Sequence, residues 1–79
     1  MNATEERMAA VLSTRFKVER GAISPESAFG ALRFDSLTLV ELGLALEDEF
    51  GVPIEDGELT VSMTLRDAAE LVETREAAL

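Results

Sequence analysis

Seventy-nine residues make one domain, near the lower limit at which a single apolar core supports a fold without disulfides or metal, and leave little room for an enzyme cleft. The chain has no Cys and no His, so it has no disulfides, thiolate nucleophile, imidazole base or usual zinc ligand, and no metal site is expected. A net charge of −9 disfavours nucleic acid, and no run of eighteen apolar residues that could span a membrane occurs.

The N-terminus, MNATEERMAA, has no basic region followed by an apolar run, so a cytoplasmic monomer is the expectation. Met8, Val11, Leu12 and Phe16 recur at helical spacing and place one face of a first helix over roughly residues 3 to 17, with Gly21 helping to stop it. The next segment, AISPESAFGALRF, reads as a long ordered loop pinned to the core by Ile23, Phe29 and Leu32, with a short turn capped by Ser24 and opened by Pro25. Asp35 caps a second helix over about 36 to 50, which Gly51-Val52-Pro53 ends. A short helical piece is expected from Asp56 to about Val61. Thr64 and Asp67 then form the capping box of a last helix, which buries Leu65, Ala68, Ala69 and Val72. The expected fold is all-α: a small bundle of three longer helices plus one short one in a single domain, 1–79.

Charge is concentrated in one segment. Residues 1–33 hold four acids and five bases, residues 35–58 eight acids and no base, and residues 59–79 four acids and two bases. The plain reading of such a run is a solvated face, and the other is a surface for basic partners. Glu47, Asp48 and Glu49 adjoin one another, and their mutual repulsion is expected to weaken the fold at low ionic strength.

The stretch FDSLTLVELGLALEDEFG carries two apolar strips. At about 100° per residue, with Ser36 at 0°, Leu39, Leu42, Leu46 and Phe50 fall between about 240° and 320° and form the core stripe. Leu37, Val40 and Leu44 fall between about 40° and 100°, edged by Glu47 near 20°, Asp48 near 120° and Glu41 near 140°. A domain this small has one core, so the second strip is expected to be exposed, an apolar band with a charged rim of the kind partners dock on. A central helix packed on both sides is the alternative. Asp-Ser before an apolar run reads first as simple capping. Ser36 nevertheless lies at a helix N-terminus, where an attached phosphate would meet free N–H groups and the positive end of the helix dipole. With no His or Cys to activate it, Ser36 is better suited to receive a group from another enzyme than to attack unaided.

Over almost its whole length, from the amphipathic first helix through LRFDSLTLVELGLALEDEFGVPI to the last, the chain resembles an acyl carrier protein of the discrete kind. The resemblance implies that Ser36 carries 4′-phosphopantetheine, added from coenzyme A by a phosphopantetheinyl transferase using Mg²⁺, and that acyl groups ride on the thiol of that arm. It implies a carrier and not an enzyme. Its expected partners are the transferase and a ketosynthase, acyltransferase or other acyl-processing enzyme. It places Asp35, Leu37, Val40, Glu41, Leu44, Glu47 and Asp48 at partner contacts, with Leu39, Leu42, Leu46 and Phe50 forming the core and lining an acyl pocket. Two departures stand out. Ala31-Leu32-Arg33 replaces the family's Asp-Leu-Gly, so Arg33 stands where a glycine is usual, and GELTVSM over 57–63 follows the family only loosely. These departures and the free-standing length favour a dissociated polyketide or related specialised pathway over primary fatty acid synthesis. A peptidyl or aminoacyl carrier is the nearest alternative, against which the missing Gly-Gly and the acidic second helix argue. An unmodified acidic helical adaptor is the alternative from a different class.

Overall fold

A computed structural model describes residues 1–79 as three α-helices: α1 (Ala3–Arg15), α2 (Ser36–Phe50) and α3 (Leu65–Ala78). The fold is all-α, as expected, and the three helices bury a core of nineteen apolar residues. α1 packs against both α2 and α3, presenting Met8, Ala9, Val11 and Leu12. No helix is long and apolar enough to cross a membrane.

Each helix starts on a side chain that satisfies otherwise orphaned N–H groups. Asn2 and Glu5 form a reciprocal capping box on α1, each bond 2.8 Å. Thr64 and Asp67 do the same for α3 at 3.0 and 3.1 Å. Asp35 caps α2 by accepting the Thr38 N–H at 2.8 Å.

The ends differ from the sequence reading. α1 is stopped by Lys17, not Gly21: Lys17 takes a left-handed φ of 58°, and the Val18 N–H turns back to the Leu12 carbonyl at 3.1 Å. The short helix expected over Asp56–Val61 does not form. Gly57 takes φ 90°, a conformation open to glycine and closed to a helix, and the segment is a series of turns. The short helical pieces are instead 3₁₀ turns at Arg20–Ala22 and Phe29–Leu32. Pro25 sits in a single turn closed by Ser27 N–H to the Ser24 carbonyl at 3.0 Å, and the side chain that braces it is Ser27, which accepts the Ser24 N–H at 2.9 Å.

Backbone hydrogen bonds stitch the long loop to the start of α3. Phe29 and Gly30 donate to the Met63 and Val61 carbonyls at 3.0 and 2.9 Å, and Leu65 and Arg66 donate to Ser27 and Pro25 at 3.0 and 2.9 Å. Gly30 suits this approach, since a Cβ there would lie a tight 3.1 Å from the Val61 carbonyl oxygen.

The acids at the end of α2 are less isolated than their sequence suggests. Arg7 of α1 reaches the Glu49 carboxylate at 3.1 Å and its carbonyl at 2.9 Å, with its guanidinium 4.4 Å from the centre of the Phe50 ring. Arg15 lies 3.4 Å from Asp48. The expected repulsion is therefore partly relieved by two cations that also suit the negative end of the helix dipole. Sequence periodicity does not reveal such pairs, because they depend on how α1 crosses α2.

After α2 the chain is held by Arg75 of α3, which donates to the Pro53 carbonyl at 2.6 Å and to Glu58 at 2.8 Å. The Arg75 hydrogen bond, then the Glu55 N–H, hold the Glu58 carboxyl down at about 2 against an ordinary 4.5. A carboxylate depressed in the folded state stabilises fully above its unfolded value and loses that contribution as pH falls through the folded one. Glu58→Gln should therefore be less stable than the parent chain at neutral pH, and the gap should close between about pH 4.5 and 2, as read by urea melts across that range.

Candidate functional site

Ser36 is the first residue of α2 and is exposed, and its hydroxyl takes no part in the hydrogen bonding of the fold. Immediately before it, Asp35 accepts from both the amide and the hydroxyl of Thr38, at 2.8 and 2.9 Å. The amide contributes most and the hydroxyl next to holding the Asp35 carboxyl below the usual carboxylate range. Asp35 is thus committed to capping as an anion, and α2 begins with its N-terminal dipole directed at the Ser36 side chain.

Two tilted aromatic contacts fix the turn that delivers Ser36. Phe34 is buried, with its ring centre 5.5 Å from that of Phe16 and 5.8 Å from that of Phe29. The preceding Arg33 closes the 3₁₀ turn with φ 69° and ψ 27°. This left-handed geometry suits glycine. Arg33 keeps it at a cost of about 1–2 kcal/mol. Arg33 thus holds a conformation that a glycine at this position would take without strain.

Beside Ser36 lies a cavity of about 130 Å³. Its apolar wall is Leu39, Val40, Ile54 and Leu59, with Gly43 at its side and Glu55, Asp56 and Gly57 along the opposite edge. Of the four residues expected to line a pocket, Leu39 alone does so. Leu42, Leu46 and Phe50 are buried in the bundle core and do not border the cavity. The helical angle separates core from surface but does not reveal which core residues the loop after α2 leaves uncovered.

The second strip is divided by that same loop. Leu37 and Leu44 are 70% and 60% exposed, with Glu41 and Asp48 exposed beside them. Val40 is half-buried at the cavity, and Glu47 accepts the Ile54 N–H at 2.9 Å, fixing where the loop returns along α2. The sequence pattern does not single out Ile54, Leu59 or Gly43. A buried glycine mid-helix was the available signal, since glycine there costs about 1 kcal/mol relative to alanine.

A Cβ on Gly43 would lie 3.5 Å from Ile54 Cγ2 and 4.0 Å from Leu59 Cδ1, which is ordinary contact. Gly43→Ala should therefore raise stability by up to about 1 kcal/mol while taking space from the cavity. Thermal melts should show the variant melting higher than the parent.

Residues 6–72 match the family model described as the phosphopantetheine attachment site. The chain is 37% identical over 81 residues to an acyl carrier protein of Thermosynechococcus vestitus, covering 99% of this chain and all of that protein. It is 35% identical over 71 residues to acyl carrier protein 1, chloroplastic, of Casuarina glauca, covering 89% of this chain and 52% of that one. The match takes in Ser36, the cavity and all of α2, and with it the chain belongs to the acyl carrier protein family, whose members are carriers bearing phosphopantetheine and not enzymes.

Proposed function

We propose that Ser36 is the residue that takes 4′-phosphopantetheine, and that the chain presents acyl intermediates to the enzymes that build them. The observation that carries this reading is a single exposed, unbonded hydroxyl placed both at a helix N-terminus and at the edge of an apolar cavity. When bound, the group supplies a thiol that this cysteine-free chain lacks. No carboxylate of the chain is hydrogen-bonded to the Ser36 hydroxyl, the adjacent Asp35 being bonded to Thr38, so we assign the proton to a base of the transferase that modifies it. The cavity is suited to a short acyl group or the first carbons of a longer one.

Leu37 and Leu44, rimmed by Glu41 and Asp48, are the proposed docking surface, with Val40 and Glu47 on its loop-covered flank. Its partners are the transferase and a ketosynthase, acyltransferase or other acyl-processing enzyme with a basic face. The departures at Arg33 and over 57–63 lead us to assign the cargo to a dissociated polyketide or related specialised pathway. Intact mass after incubation with coenzyme A, Mg²⁺ and a transferase tests the carrier reading. A gain of one phosphopantetheine supports it, and an unchanged mass would leave an acidic adaptor.

A further inference from the structure

Five of the seven basic side chains lie within 4 Å of a carboxylate of the chain itself: Arg7, Arg15, Arg20, Arg66 and Arg75. Lys17 and Arg33 have no such partner and make no side-chain hydrogen bond. Both also occupy left-handed backbone positions, at φ 58° and 69°, and they are the only non-glycine residues that do. Backbone hydrogen bonds hold both turns, and the two exposed side chains are left out of the ion pairing of the fold.

The two cations border one groove of about 420 Å³ between the end of α1 and the turn before α2. Phe16, Val18, Leu32 and Phe34 give the groove its apolar lining, Thr38 links it to α2, and Glu19 is its single acid. In a chain of net charge −9, this is a cationic apolar groove whose lining comes within two residues of Ser36, at Phe34 and Thr38, and shares no residue with the 130 Å³ cavity.

We propose that this groove docks a segment of the phosphopantetheinyl transferase that carries a carboxylate next to an apolar side chain. The proposal rests on Ser36 being the attachment residue. The transferase is the partner that must reach the Ser36 hydroxyl itself. Later enzymes meet the far end of the arm and can dock further away. The groove and the acidic rim of α2 together make a docking face of both signs, and such a face fixes orientation as well as encounter.

Steady-state loading of the apo chain by a transferase that modifies the parent provides the test, with carrier and coenzyme A varied separately. Lys17→Glu/Arg33→Glu should lower kcat/KM about tenfold or more through the KM for the carrier, with Arg33→Lys near the parent and Arg33→Gly in between. A transferase that reads acidity alone should instead load the double charge reversal as fast as the parent or faster, because the variant is more acidic. That result would overturn the proposal. So would a change confined to the KM for coenzyme A, which would mean that the groove meets the phosphates of the cosubstrate. Arg33→Gly relieves the backbone while removing the charge, so it reads the effect even if the double variant folds poorly. Loading of a Ser36→Ala variant by the same transferase would be a failure of Ser36 as the attachment residue, and is distinct from each of these results.

Discussion

Ser36→Ala is expected to remain at its unmodified mass under conditions that load the parent chain to completion, while its helical circular dichroism and urea midpoint stay close to those of the parent. Loss of loading should be complete, because the neighbouring hydroxyl is already engaged: Thr38 donates to Asp35 at 2.9 Å. The fold should be indifferent, because Ser36 is exposed and the helix cap is supplied by Asp35. Substitutions at exposed positions away from caps and packing usually change stability by less than about 0.5 kcal/mol. Modification of the Ser36→Ala variant at any other residue would remove Ser36 from its proposed role.

Leu46→Ala and Leu44→Ala should separate stability from recognition by the widest margin in this molecule. Leu46 is fully buried, and its truncation should cost about 2–5 kcal/mol, much of what a domain of this size possesses. Leu44 is 60% exposed on the same helix, and its truncation should cost about 0.5 kcal/mol or less while slowing loading by removing apolar contact at the proposed docking surface. Val40 belongs with neither. It is half-buried at the cavity wall, so Val40→Ala should fall between them in stability. Paired urea melts and loading rates give the comparison. Equal destabilisation by the Leu44 and Leu46 changes would mean that α2 is covered on both faces in solution.

Four features were readable from sequence because each depends on chemistry within a few residues. The three helices, the Asp35 cap and the Thr64–Asp67 box follow from local spacing and side-chain reach. The burial of Leu39, Leu42, Leu46 and Phe50 follows from the helical repeat. Long-range closures were not readable in this way. Glu47 has the composition of a rim acid, yet it binds the Ile54 N–H seven residues on. Glu58 lies in a segment whose sequence suggests a helix, and its partner is Arg75 of α3. Which core residue reaches the cavity depends on that same loop, so the pocket narrows from four leucine and phenylalanine positions to Leu39 with Ile54 and Leu59. Arg33 was visible as a departure, but its left-handed backbone and its lack of an internal partner required coordinates.

The stitching of the long loop to α3 divides the surroundings of Ser36 into a stiff half and a yielding half. On one side, the segment leading into Ser36 is secured by four backbone hydrogen bonds to residues 61–66, running in both directions along the pairing. Breaking that side would mean opening a closure between segments more than thirty residues apart, so it moves with the whole domain or not at all. On the other side, the turns over 55–58 rest on one local backbone bond, the Glu55 N–H held by the Glu58 side chain, the Ile54 N–H held by Glu47, and the grip of Arg75. Breathing that widens the cavity is therefore expected from the 55–60 side, with Ser36 held by the stitched side. The volume beside Ser36 would then be governed by side-chain clasps, those of Arg75 and Glu47, and not by the turn that delivers the hydroxyl.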